Sequence, residues 1–376
     1  MFFFSLRTAA FRNLKNSEIN TDARDIFLIG ENGQGKTNFL EAIYFCCYGS
    51  SFRGVRDAEI THNGDAGFSA AVKITDNTGF AHNNALLNEV FVKYEKGKKH
   101  ILINGKKAED RKDLLSIAPC IVFCHEDMDF ISGSPERRRW FFDQVLSLYD
   151  PVYLDDFRRF RRVLKIRNTA LRDNVQRRDS GRIEPLLDAL DVQFIQYGTK
   201  LMEKRMDAVR LFSQVFGPLY RDVSGIDGIA VQYVPSWKPS IASACTSFDD
   251  AAAAVTRRRP ADIAAGISLS GPHRDRYEFI CTGGEFTGKA STGQRRLLAL
   301  LLRVAQARRF LDMTGKKPVL LLDDVLLEMD GEKRQKFISV MPEYNQAFYT
   351  FLPDEPFQRY RKDDTLVYYM NKGAVS

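Results

Sequence analysis

The sequence predicts an α/β fold in which a phosphate-loop lobe is interrupted by an inserted helical lobe. Three observations predict it. Near the start, Gly30-Glu31-Asn32-Gly33-Gln34-Gly35-Lys36-Thr37 matches G-x-x-x-x-G-K-[ST] at every required position. Far downstream, Pro318-Val319-Leu320-Leu321-Leu322-Asp323-Asp324 reads as a buried strand that ends in two carboxylates. Between them, from residue 136 to about 216, strand-like alternation gives way to helical spacing rich in Arg, Leu and aromatic residues. The phosphate-loop lobe is therefore drawn as residues 1–134 with 267–376, and the helical lobe as residues 135–266.

Taken in order, residues 2–29 read as two short strands, the second running through Asp25-Ile26-Phe27-Leu28-Ile29 into the glycine loop. After the loop, Phe39, Leu40, Ile43 and Tyr44 recur at helical spacing, and Gly49 is placed to cap that helix. Strand, glycine loop, helix is the context a phosphate site requires. Glycines let backbone amides converge on a polyphosphate, and the helix directs its positive end at the same spot. Residues 30–38, Asn38 included, form the candidate nucleotide-binding set. Within it, Lys36 reaches the β- and γ-phosphates and the Thr37 hydroxyl ligates Mg²⁺. A chance glycine turn before a helix would not need the full motif with both flanks.

Alternating runs at 68–74, 89–94 and 100–103, followed by Asn104-Gly105, suit an antiparallel sheet with a hairpin. Another strand is expected at 121–123, and a turn at 179–181 inside the helical stretch. Residues 236–266, rich in Ser, Ala and Pro with little periodicity, read as the return from the helical lobe.

The acidic strand supplies the other half of the site. Asp323 is the candidate Mg²⁺ partner, and Asp324 is placed to act as general base on the attacking water. Ser291-Thr292-Gly293-Gln294 is a capping box ahead of an apolar helix, a role that suffices by itself. The same geometry offers a hydroxyl and free amides at a helix N-terminus, as in ATPases that sandwich ATP between two subunits. With the other two motifs present, Ser291, Gly293 and Gln294 are read as facing the γ-phosphate held by a partner copy.

The chain has 376 residues, 44% hydrophobic and 27% charged, which fits an ordinary globular protein of two or three domains. Its net charge of +7 admits a polyanionic partner. Residues 137–182 alone carry a basic surplus of seven. The six cysteines form no C-x-x-C pair, and Cys120-Ile121-Val122-Phe123-Cys124 reads as a strand rather than a metal site, so reduced thiols are expected. The N-terminus lacks a basic signal-peptide region and no run reaches membrane-spanning length, so a cytoplasmic protein with no membrane partner is expected.

Phosphate loop, Ser-x-Gly-Gln and acidic strand, in that order, resemble the ABC/SMC-like P-loop ATPase head. Further stretches resemble the RecF family of bacterial recombination mediators. They include Ser51-Phe52-Arg53, Ile103-Asn104-Gly105-Lys106-Lys107, Gly133-Ser134-Pro135-Glu136-Arg137-Arg138-Arg139 and Pro272-His273-Arg274-Asp275. The likeness runs nearly end to end, and the Gly-Ser-Pro-x-x-Arg-Arg stretch is far more specific than the phosphate loop. Gly271, Arg276 and Lys289-Ala290-Ser291-Thr292 depart from the family pattern, which expects Ser, a second Asp and Phe-x-Ser-Gln, although Ser291, Gly293 and Gln294 stay in place. The resemblance implies an ATP-dependent homodimer with weak, DNA-stimulated ATPase activity used as a timer. It also implies binding to double-stranded and gapped DNA, and partnership with RecR and RecO in loading RecA. By the same resemblance Asp330 acts across the dimer and Thr350 senses the γ-phosphate.

Arg158, Arg159, Arg161, Arg162 and Lys165 crowd two turns of one helix and cannot share one narrow stripe, so some are simply solvated. Those that meet DNA would contact phosphate without reading sequence. Two other readings stay open on the motifs alone: a P-loop kinase of a small metabolite, and a short SMC-like DNA-organising ATPase. The first would not need Ser-x-Gly-Gln. The second meets an insert too short for long arms and without sustained heptads.

Overall fold

The computed structural model describes residues 2–62, 64–75, 87–177, 183–240, 245–325 and 331–376. The chain forms two compact units, residues 1–127 with 306–376 and residues 128–305. The second unit contains the 135–266 segment and extends past it on both sides.

Chain order begins with β1 (Phe2–Ala9), β2 (Ser17–Asn20), β3 (Asp25–Ile29), α1 (Lys36–Tyr48), β4 (Gly67–Thr75), β5 (Asn88–Glu95), β6 (Lys98–Ile103), β7 (Lys106–Lys107), α2 (Arg111–Ile117) and β8 (Cys120–Phe123). It continues with α3 (Asp129–Ser132), α4 (Pro135–Tyr149), α5 (Pro151–Arg177), α6 (Glu184–Ser224), β9 (Ala230–Val234), α7 (Phe248–Ala265), β10 (Arg276–Cys281) and β11 (Gly284–Glu285). The last stretch holds α8 (Thr292–Thr314), β12 (Val319–Leu322), α9 (Gly331–Ser339), β13 (Gln346–Phe351), β14 (Thr365–Asn371) and β15 (Ala374–Val375).

The first unit carries two sheets. In one, ordered β2-β1-β4-β5-β6-β7, neighbouring strands run antiparallel. Asn104 and Gly105 turn β6 into β7 with φ of 52° and 75°, the pair of positive angles a type I′ hairpin demands. In the other, ordered β15-β14-β3-β13-β12-β8, the strands from β14 to β8 are parallel. Their burial on both faces explains the uninterrupted apolar runs of β3, β8 and β12. Helix α1 covers one face, where Phe39 meets Phe348 at 6.3 Å between ring centroids. Phe27, Tyr349 and Phe351 pack together on the other, with Phe27 5.4 Å from Tyr349 and 5.0 Å from Phe351.

The second unit joins long helices to a small sheet, β11-β10-β9. Its core gathers Phe160, Phe194, Leu201, Trp237 and Val255. Two buried arginines pin the helices. Arg205 on α6 meets Asp143 on α4 at 2.8 Å and Asp275 at 2.9 Å. Arg167 on α5 meets Asp191 on α6 at 2.7 Å and Asp262 on α7 at 2.8 Å.

Two expectations change here. Residues 2–29 hold three strands, because the polar Ser17–Asn20 segment pairs with β1 despite its weak apolar pattern. The 236–266 return contains an 18-residue helix, α7, started by a Ser247/Asp250 capping box. Its buried face is Ala251, Ala254, Val255 and the carboxylate of Asp262, a set that leaves little apolar periodicity to read. The turn expected at 179–181 lies outside the described residues.

Candidate nucleotide-binding site

Every residue of β3 is buried, and the chain leaves its C-terminal end at Gly30. A Cβ on Gly30 would lie 2.6 Å from the Met370 carbonyl oxygen, so only glycine lets the loop pass β14. Gly35 has φ of 110° and caps α1, whose first residue is Lys36. The loop is braced from outside. Asn13 Nδ2 donates to the Gly33 carbonyl at 3.0 Å, and the Gly373 amide donates to the Gln34 carbonyl at 3.0 Å. Two side chains of the candidate set belong to this bracing: Gln34 Oε1 accepts from the Lys372 amide at 2.6 Å, and Asn38 Nδ2 donates to Asn13 Oδ1 at 2.7 Å. Glu31 and Asn32 are exposed on the loop.

Lys36 is 4% exposed. Its ammonium donates to the carbonyls of Gly30 at 2.6 Å and Glu31 at 3.3 Å, which holds the cation within the curl of the loop. Beside it, the Thr37 hydroxyl donates to Asp323 Oδ1 at 2.9 Å. Strand order sets up this meeting. β13 lies between β3 and β12, so the C-terminal ends of all three converge, and the middle strand contributes Thr350. The Thr350 hydroxyl oxygen accepts from the Asp324 amide at 2.7 Å and lies 2.9 Å from Asp324 Oδ1 and 3.3 Å from Asp323 Oδ1. Asp324 has φ of 51°, the left-handed conformation that turns the chain sharply off β12.

Burial pushes Asp323 up to about 7, the charge of Asp324 adds to the rise, and the Thr37 hydrogen bond opposes it. No Lys, Arg or His lies within ion-pair distance of Asp323 among the described residues. A buried carboxylate beside a hydroxyl, both hard oxygen donors, suits Mg²⁺, which keeps most of its coordination for water and phosphate.

In the sequence, Arg53 stands out only within the family resemblance of Ser51-Phe52-Arg53. Its guanidinium donates to Asn38 Oδ1 at 3.1 Å and lies 3.7 Å from Glu41, placing a cation beside the loop. Glu41, fully buried on α1, also takes two hydrogen bonds from Arg12 at 2.8 and 2.9 Å. Helical spacing alone gives no sign of this anchor, because the arginines come from flanking loops.

In the second unit, Ser291 and Gln294 close the capping box. The Ser291 amide donates to Gln294 Oε1 at 2.8 Å and the Gln294 amide donates to Ser291 Oγ at 3.3 Å. Ser291 and Gly293 are exposed, and no atom within 4 Å would obstruct a Cβ on Gly293. Asp330 lies outside the described residues. On α5, Arg159, Arg161, Arg162 and Lys165 are exposed, and Arg159 also pairs with Asp156 at 3.4 Å. Three further arginines of the basic stretch serve the fold. Arg138 donates to the Ile131 carbonyl at 2.7 Å, Arg139 to the Asp275 carbonyl at 2.8 Å, and Arg167 is buried in its ion pairs. Among the described residues, no helix is long and apolar enough to cross a membrane, and no cluster of three His, Cys, Asp or Glu could hold a metal.

The family model described as the RecF/RecN/SMC N terminal domain matches residues 3–374. The DNA replication and repair protein RecF of Treponema pallidum (strain Nichols) is 40% identical over 97% of this chain and 98% of its own. The RecF of Moorella thermoacetica is 32% identical over 86% of this chain and 82% of its own. Among solved structures, the recombination mediator protein RecF with ATP superimposes with a TM-score of 0.87 at 24% identity, covering 100% of this chain and 97% of that one. An Smc head bound to the C-winged helix domain of ScpA follows at a TM-score of 0.56 and 16% identity, covering 100% and 96%. These likenesses establish the ABC/SMC-like ATPase fold.

Proposed function

From the premise that this chain belongs to the RecF family, we propose that it is an ATP-switched recombination mediator that binds duplex DNA at single-strand gaps. In this reading it loads RecA together with RecO and RecR. The observation that carries the reading is the cluster of Lys36, Thr37, Asp323, Asp324 and Thr350 at the ends of three adjacent strands. That arrangement suits hydrolysis of a nucleoside triphosphate.

Lys36 and the loop amides at the positive end of α1 bind the phosphates. Thr37 and Asp323 would hold Mg²⁺, which when bound neutralises phosphate charge. Asp324 takes the proton of the attacking water, and Thr350 fixes the carboxylate for that task. Ser291, Gly293 and Gln294 of one copy cap the γ-phosphate in the loop of another, with Asp330 acting across the same boundary. Since ATP contacts both copies only when they are together, its binding energy differs between the two states and drives the switch. Slow, DNA-stimulated hydrolysis releases the clamp. The exposed basic face of α5 supplies phosphate contacts that do not depend on sequence. The inserted lobe, residues 135–266, is the part of the chain assigned to this contact.

Light scattering of the full chain with ADP, ATP and a non-hydrolysable analogue, with and without gapped duplex, tests this reading. Doubling of mass with the triphosphates alone is expected. A monomer under all conditions overturns it.

A further inference from the structure

A cavity of about 290 Å³ lies on the face of the parallel sheet opposite α1, away from the phosphate loop's own helix. Its buried walls are Phe27, Leu322 and Phe337, closed by Met341 and Tyr349. Ile338, 40% exposed, stands at the mouth. The nucleotide mechanism uses none of these side chains. Arg359, Arg361 and Lys362 also line the cavity, and all three are exposed.

Toward the sheet, its polar groups are engaged with one another. Tyr344 donates to Asp25 Oδ1 at 2.9 Å, Tyr349 donates to the Tyr344 hydroxyl at 3.3 Å, and Lys362 meets Asp25 Oδ2 at 3.3 Å. A nucleobase entering here would lose water from several polar edge atoms and meet the Tyr360 hydroxyl as the one lining hydroxyl without a hydrogen bond among the described residues, which disfavours it. A hydrocarbon side chain loses nothing of that kind. At the rim the charge is one-sided, since the only lining carboxylate, Asp25, is buried and paired, while Arg359 and Arg361 make no ion pair among the described residues.

We propose that this cavity receives a bulky apolar side chain from an acidic peptide segment of a partner protein. The anchor fills the apolar interior and flanking carboxylates meet Arg359 and Arg361, the pattern of a buried hot spot inside a charged rim. The cavity stands at the small end of ligand sites, matched to one anchor rather than a whole cofactor. This inference does not depend on the nucleotide reading.

The test is fluorescence anisotropy of the full chain with a labelled Asp-Asp-Phe-Asp-Asp peptide. Comparison probes are the same peptide with Ala for Phe, a Lys-Lys-Phe-Lys-Lys peptide, and single-stranded oligodeoxythymidylate. Saturable binding of the acidic Phe peptide, at least about tenfold tighter than either peptide control, is expected. Combined Arg359→Glu and Arg361→Glu, or Ile338→Glu alone, should weaken it by about tenfold or more. ATP turnover and the thermal midpoint should be unchanged in these variants. Equal binding of the Ala peptide, or no saturation up to about a millimolar, overturns the proposal. So does tighter binding of oligodeoxythymidylate that the same substitutions abolish, which would make the surface a nucleic-acid site.

Discussion

The Thr37 hydroxyl donates to Asp323 Oδ1 at 2.9 Å, joining residues 286 positions apart in the chain. The bond is the point at which the glycine loop and the acidic strand become one site. It also offsets part of the cost of burying Asp323 beside Asp324, because a hydroxyl donor meets one of its oxygens.

The first prediction concerns the loop. Lys36→Ala removes a charge-assisted donor to phosphate and should weaken ATP binding by about 2–3 kcal/mol, beyond detection at micromolar nucleotide. Isothermal titration with a non-hydrolysable analogue measures it. Binding within about twofold of wild type would remove Lys36 from the site.

The second separates chemistry from binding. Asp324→Asn keeps the amide contact to Thr350 but cannot take a proton, so turnover should fall by roughly a hundredfold or more while nucleotide affinity holds. Single-turnover hydrolysis resolves the two. An equal loss in affinity would mean that Asp324 organises the loop rather than the water.

The third concerns DNA. Roughly five phosphate contacts give a log–log salt slope near −4 to −5. Arg162, Lys165 and Arg172 are exposed at helical spacing along α5. Reversing all three to Glu should flatten the slope by about 3 and weaken binding alike on every sequence. Binding to gapped duplex at several salt concentrations reads this out. An unchanged slope would place the contact elsewhere.

The fourth is a stability signature of the 270–276 loop. His273 packs against Phe160 and Phe194, both 6.2 Å away, and its Nε2 bonds the Ser268 carbonyl at 3.0 Å. Burial lowers it from 6.5 to about 4, and the charges of Arg274, Arg139 and Arg167 add to the fall. A folded pKa below the unfolded one means stability present above pH 6.5 and lost as pH falls toward 4, on the order of 3 kcal/mol in all. Neighbouring Asp275, raised to about 6 by burial, has the opposite slope. Comparing wild type with His273→Gln isolates the histidine, since Asp275 is common to both. Between pH 7 and 5 the variant should lose less stability in urea melts than wild type, and parallel losses would contradict this.

Much of the phosphate-loop unit was legible because its signals are contiguous. A glycine loop between a buried strand and a helix, or apolar residues ending in paired Asp, can be read within a window of ten residues. The buried anchors were not. Glu41 takes its arginines from Arg12 and Arg53, and Arg205 reaches Asp143 and Asp275 across three separate segments. Such pairs leave no periodic trace. Charge counting misleads for the same reason. Arg138, Arg139 and Arg167 add to the basic surplus of their stretch, yet carbonyl oxygens and buried carboxylates occupy them. Gln34 and Asn38 fit the loop motif, but the motif does not tell that their side chains brace the loop against Lys372 and Asn13. Helix α7 escaped because an alanine face buries well without alternating strongly.

The proposed composite site between two copies is tested most directly by mixing two inactive variants. Lys36→Ala spoils the loop of one copy and Ser291→Arg spoils the capping helix end of the other, so a mixed dimer keeps one intact site. An equimolar mixture should recover roughly a quarter of wild-type ATP turnover, since half the dimers are mixed and each has one working site of two. Turnover no higher than that of either variant alone, across the concentrations at which wild type is active, would contradict the account.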